Sequence, residues 1–131
     1  MVKMKKGLLI SFICVITFLF GSCIKISYEL KETVPSETGK KTAYIYTSAG
    51  GATTGYTTRV TISEEKDFNF INKEQYFMIC DENHGTVKDF KIILEWIDDN
   101  TISVFYSKGT RFFRQEQNFN NVKINYKEIS E

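Results

Sequence analysis

Cys80-Asp81-Glu82-Asn83-His84 is the one run in this 131-residue chain where metal-binding and nucleophilic side chains crowd together. A cysteine and a histidine four apart can supply two zinc ligands, with Asp81 or Glu82 as a third. Structural zinc usually takes four ligands, and the chain has no second histidine and no cysteine nearby. A Cys80–His84 dyad would need a third group to orient the imidazole, and a pocket. The run reads more simply as a strand end entering a polar turn, so no metal ligand or catalytic residue is assigned. Asp98-Asp99-Asn100 offers oxygens to calcium, but a calcium loop spreads its ligands over about twelve residues with a glycine and a distal glutamate. A hairpin turn explains the same three residues. Gly50-Gly51 lacks the lysine and following helix of a phosphate-cradling loop.

The aromatic residues offer recognition chemistry instead. Trp96, Tyr44, Tyr46 and Tyr56 can line a sugar-binding face by stacking on pyranose rings, although aromatics on small β domains more often pack in the core. Arg59 can pair with Glu95 across neighbouring strands, or stand as an exposed cross-strand charge.

Where such groups act is set by the first residues. Lys3, Lys5 and Lys6 precede an uncharged apolar run over residues 8–20, which ends in Gly21-Ser22-Cys23. This run of thirteen residues lies within the roughly 7–15 of a secretion signal, and the lysines fit retention of positive charge on the cytoplasmic side. Residues 19–23 (LFGSC) resemble the lipobox of bacterial lipoproteins. That resemblance implies cleavage between Ser22 and Cys23 and a diacylglyceryl group, with further acyl chains such as palmitate, on the Cys23 thiol. Phe20 stands where leucine is more usual. Cys14, preceded by bulky Ile13, reads as apolar filler within the signal. Two chains at ~0.8 kcal/mol per buried CH₂ hold a soluble domain on a membrane. An uncleaved anchor over residues 7–24 is the alternative: as a helix it spans about 27 Å, at the short edge of the ~30 Å hydrocarbon core. Ordinary cleaved secretion is a third. All three export the domain.

Residues 23–131 amount to one domain with a modest core. Without the three signal lysines, the 17 basic residues fall to 14 against 16 acidic ones, so the mature charge is near −2. No basic cluster remains to attract nucleic acid. With Cys23 acylated and Cys14 removed, Cys80 is the one thiol left, so no internal disulfide is available and packing must hold the fold.

Residues 24–30 alternate apolar and polar, as a first strand or an alternating tether. Residues 31–41, with Pro35 and Gly39, read as a linker or turn. Residues 42–47 (TAYIYT) and 55–62 are strands forming a hairpin around the loop at residues 48–52. In the second, Tyr56, Thr58, Val60 and Ile62 share one face and Thr57, Arg59 and Thr61 the other. Residues 63–69 are a loop, 75–80 a strand and 81–85 a turn. Residues 91–97 and 101–107 form the clearest hairpin. Lys108-Gly109 is a turn, and 111–114 and 122–126 are further strands. The expectation is an all-β, mostly antiparallel meander or small sandwich. Its parts are a signal at 1–22, a lipidated cysteine with possible first strand and tether at 23–41, and a β domain at 42–131.

Two motifs, Gly50-Gly51-Ala52-Thr53-Thr54-x-Tyr56-x-x-Arg59-Val60 and Glu95-Trp96-x-Asp98-Asp99-Asn100-Thr101-Ile102, resemble those of a family of short bacterial exported proteins and lipoproteins classed as a domain of unknown function. The likeness covers about residues 36–126. Ser36-Glu37-Thr38-Gly39 departs from it, standing where a proline-containing turn is more usual. The resemblance implies export and a β domain, and nothing catalytic. It also marks Tyr56, Arg59, Glu95 and Trp96 as a surface or packing motif. The expected role is a non-enzymatic, membrane-anchored extracytoplasmic domain that binds an envelope protein or glycan, with no cofactor beyond the acyl chains. The alternatives are a small envelope hydrolase or metal-dependent protein using Cys80 and His84, and an immunity or exclusion lipoprotein.

Overall fold

The computed structural model describes residues 27–49, 56–64 and 75–130. The signal and its Ser22–Cys23 junction, the glycine loop beyond residue 49 and the loop at 65–69 lie outside them. The described residues form nine strands: β1 (Ser27–Pro35), β2 (Thr42–Ala49), β3 (Tyr56–Ser63), β4 (Met78–Asp81), β5 (Ile92–Asp98), β6 (Thr101–Tyr106), β7 (Arg111–Gln115), β8 (Asn118–Phe119) and β9 (Val122–Glu128). One sheet has the order β1-β2-β3-β4-β7, the other β5-β6-β9-β8. The fold is all-β, a sandwich of two sheets.

Alternation along each strand builds the core between them. Ala43 and Ile45 of β2, Val60 and Ile62 of β3, and Met78 and Cys80 of β4 come from the first sheet; Leu94, Ile102, Val104, Val122 and Ile124 come from the second. Phe77 is fully buried among them and tilts against Phe119 at 5.9 Å between ring centroids. Thr58, Val60 and Ile62 are buried together on one face of β3 as expected, but Tyr56 at its start is exposed and Thr61 on the other face is buried as well.

Three features differ from the sequence reading. β1 continues through residues 31–35, so the expected linker shrinks to the turn after Pro35. A bulge between Leu30 and Glu32 is the reason. A one-residue slip exchanges the faces of a strand, so Leu30 opposes Tyr46 on the outer face while Val34 opposes Ala43 and packs into the core. Second, the sheet is not wholly antiparallel, since β6 and β9 run parallel, Ile102 beside Ile124 and Val104 beside Tyr126. Parallel neighbours need a long connection; residues 107–121 provide it by passing through β7 of the other sheet. Third, β8 and β9 form a small hairpin whose Asn120 and Asn121 both take positive φ (47° and 62°). Asparagine tolerates this conformation in tight two-residue turns.

The register gives the sandwich two unlike ends. Ser27, Ala49 and Tyr56 lie side by side at one, as do Asp81 and Arg111. At the other, the β1–β2 turn meets the β5–β6 turn.

Candidate functional site

Asp81 and Arg111 close the ends of paired strands β4 and β7, which brings together groups 30 residues apart in sequence. Arg111 Nε donates to Asp81 Oδ1 at 3.0 Å and Nη2 to Oδ2, so the planar fork meets the carboxylate with two parallel bonds. Asp81 Oδ1 also accepts from the Asn83 amide at 2.8 Å. These bonds, that from Arg111 foremost, hold the Asp81 carboxyl below the usual carboxylate range. Arg111 Nη1 lies 2.8 Å from His84 Nε2. A guanidinium can only donate, so in this contact Nε2 is the acceptor. The Arg111 carbon Cζ also sits 4.8 Å from the centre of the Phe113 ring. Asn83, His84 and Gly85 all have positive φ (51°, 58° and 74°), a left-handed run that carries the imidazole back toward β7.

Cys80 does not join this cluster. It alternates with Asp81 on β4 and faces the core with no exposed surface. Burial, with the Asp81 charge adding to it, pushes the thiol up to about 12. At neutral pH it is a protonated, apolar group. The structure gives Cys80 and His84 separate tasks, one in the core and one on Arg111. No set of three or more His, Cys, Asp or Glu side chains able to hold a metal occurs among the described residues.

The expected Arg59–Glu95 pair is not formed, because the two residues belong to different sheets. Glu95 is exposed on β5, in phase with exposed Ile93 and Ile97 and out of phase with core-facing Leu94. Arg59 lies opposite Tyr46 on the outer face of the first sheet. Its Nε donates to Ser48 Oγ at 3.2 Å, and its guanidinium carbon lies 5.9 Å and 5.3 Å from the ring centres of Tyr28 and Tyr76. Among the described residues, its guanidinium is met by aromatic faces and the Ser48 hydroxyl instead of Glu95.

The four aromatics considered as a sugar platform are likewise dispersed. Tyr44 and Tyr46 stack at 6.2 Å, and Tyr46 meets Tyr76 edge-on at 6.5 Å, all three buried. Burial, reinforced by Tyr44 and Tyr76, pushes the Tyr46 hydroxyl up to about 12. Tyr56 is 65% exposed at the start of β3. Trp96 packs against the inter-sheet core and donates its indole N–H to Val34 O at 2.9 Å.

That bond belongs to a clasp between the sheets which the sequence reading missed. Asp99 accepts from Thr38 Oγ1 at 2.6 Å and from the Thr38 amide at 3.3 Å. Lys41 Nζ donates to Asn100 Oδ1 at 3.0 Å, and Asp98 Oδ1 accepts from the Asn100 amide at 2.7 Å. The oxygens weighed as calcium donors thus close a turn and dock it on the β1–β2 turn. Thr38 first, then Ser36, lower the Asp99 carboxyl from its ordinary value. Sequence separations of 59 to 62 residues leave no local signal for these contacts.

Two open grooves lie among the described residues. One, about 460 Å³, is lined by the amides of Gln115, Gln117, Asn118 and Asn125, with the Lys123 ammonium, Ile124 and Tyr126 beside them. The other, about 530 Å³, lies beside Lys88 and Lys108 at the Arg111 end. Among the described residues no helix is long and apolar enough to cross a membrane, and no buried side-chain nitrogen or oxygen lacks a partner. Compared with family models, curated proteins and solved structures, the chain matches none.

Proposed function

We propose that this protein is an extracytoplasmic lipoprotein, anchored by acyl chains on Cys23, whose sandwich is a non-enzymatic binding domain of the cell envelope. The carrying observation is the order of the N-terminal residues: lysines at 3, 5 and 6, an apolar run over residues 8–20, then Gly21-Ser22-Cys23. The resemblance to exported bacterial proteins supports the same reading. A binding role rather than catalysis is supported by the protonated Cys80 thiol in the core and by His84 committed to Arg111. The amide-lined groove supplies both donors and acceptors, which suits a peptide backbone or a glycan in the envelope.

The test is the intact mass of protein extracted from membranes, wild type beside Cys23→Ala. The expected mass is that of residues 23–131 plus a diacylglyceryl group, lost in the variant. An unmodified full-length mass overturns the lipoprotein reading in favour of a retained membrane helix. Binding is then sought by crosslinking in intact envelopes, and it should survive both Cys80→Ser and His84→Ala. Loss in either variant, with the fold retained, would turn the assignment toward chemistry at those residues.

A further inference from the structure

We infer that the sandwich stands end-on on the bilayer, with the end carrying Tyr56 and Arg111 against the lipid and the inter-sheet clasp facing away. This rests on the lipoprotein reading, from which it takes the position of the anchor at Cys23. Ser27, the first residue of β1, is already hydrogen-bonded into the sheet beside Ala49. Four residue steps separate it from Cys23, at most about 14 Å of extended chain. The end of the sheet where β1 begins therefore cannot leave the membrane surface.

A short tether alone would also allow the sandwich to lie flat on its β1 edge. The distribution of side chains favours the upright pose. The β1 edge is acidic, presenting exposed Glu29 and Glu32 with Lys31 already paired to Glu29 at 3.1 Å. The end itself carries Tyr56 at 65% exposure and, two residues into β7, Phe113 at 56%. Tyr56 is in phase with the core-facing Val60 and Ile62 but lies at the strand's first position, where it remains open to solvent. Exposed aromatic rings are suited to the membrane–water interface, where one part of the ring is apolar and another wet. Lys88 and Lys108 flank the groove on this end and can reach headgroup phosphates. Glu82, Asp89 and Glu128 outnumber these two lysines by one, so the tether and the aromatics, not charge, set the pose.

The opposite end is carried well clear. Val34 is seven residues along β1 from Ser27, about 23 Å of strand. Trp96, bonded to the Val34 carbonyl, rides with it. It is the only tryptophan in the chain, so the wild-type protein already contains its far-end reporter.

The experiment uses the full lipidated protein, extracted and reconstituted in vesicles of phosphatidylcholine and phosphatidylglycerol with brominated acyl chains, against identical unbrominated vesicles. Wild-type Trp96 emission should be the same in both. Tyr56→Trp in a Trp96→Phe background should lose most of its emission in brominated lipid, and so should Lys108→Trp in that background. The second variant lies in an exposed turn and keeps the test available should the first misfold. Quenching of Trp96, or bright emission from both introduced tryptophans in a protein whose mass shows the lipid, overturns the orientation alone. A mass without the lipid overturns the orientation together with the lipoprotein reading, and so separates the two failures.

Discussion

The outer faces of the two sheets solve the same problem in opposite ways. On the first sheet β2 is buried on both sides: Ala43 and Ile45 face the partner sheet, while Tyr44, Tyr46 and Ser48 are buried on the far side. On the second sheet β9 keeps a strict alternation, with Val122 and Ile124 buried and Lys123 and Asn125 exposed. The difference lies in what surrounds each face. Around Tyr46 stand Tyr44, Tyr76 and Ile79, with Arg59 spread over Tyr28 and Tyr76, and these groups cover one another. Opposite them, Glu95, Lys123, Asn125 and Lys127 meet water directly. Among the described residues, the half-buried Arg59 guanidinium on this face is met by aromatic faces and a hydroxyl.

The sharpest way to break this contrast is Tyr46→Ala. Its side chain is 1% exposed on what would be the solvent face of an ordinary two-layer sandwich. Its loss should cost about 3–5 kcal/mol, as for other large buried aromatics, read from the midpoint of urea unfolding. A cost below ~1 kcal/mol would show that the tyrosine cluster is a loose cover instead of a second core.

An intermediate effect is expected at the Asp81–Arg111 pair. Asp81→Asn should destabilise by about 1–2 kcal/mol at pH 7, the upper part of the range for charged hydrogen bonds being lost because Arg111 is partly solvated. The pH dependence has a definite sign. The folded carboxyl titrates below its unfolded value, so its contribution is complete above the ordinary carboxylate range near ~3.9 and is lost as pH falls through the folded value. The stability gap between wild type and Asp81→Asn should stay constant from pH 8 to about 5 and close below about 4. A gap that persists unchanged into strong acid would remove the ion pair as its cause.

The smallest effects belong to the outer face of the second sheet. Ile97→Ala and Glu95→Ala should each fall within about ±0.5 kcal/mol. Ile97 is 58% exposed and Glu95 stands in the same row of β5. A large loss in either would mean that this face is covered in the folded protein, and the comparison of the two faces would collapse.

Much of the secondary structure was legible because it is written locally. The hairpin around Asp98-Asp99-Asn100 follows from two β-prone runs and a polar turn. The faces of β3 follow from simple alternation. The Asn120-Asn121 hairpin was also readable, since two residues tolerant of positive φ stand between β8 and β9, but the short β8 hid it. The extension of β1 was not readable. A bulge moved Val34 to the core face, and Lys31, Glu32 and Pro35 gave the segment a linker's composition.

Sequence alone determined the all-β class, the positions of most strands and the charge balance, and it supplies the basis for the export proposal. These depend on side-chain alternation, turn chemistry and apolar length, each contained within a few neighbouring residues. Only the tertiary structure decided which sheet each strand joined. That single outcome separated Arg59 from Glu95, buried Cys80 away from His84, and joined Asp81 to Arg111. It also placed Trp96 under Val34 and closed the clasp between the turns. Strand pairing is chosen by summed packing and hydrogen bonding over the whole chain, so no local pattern reports it.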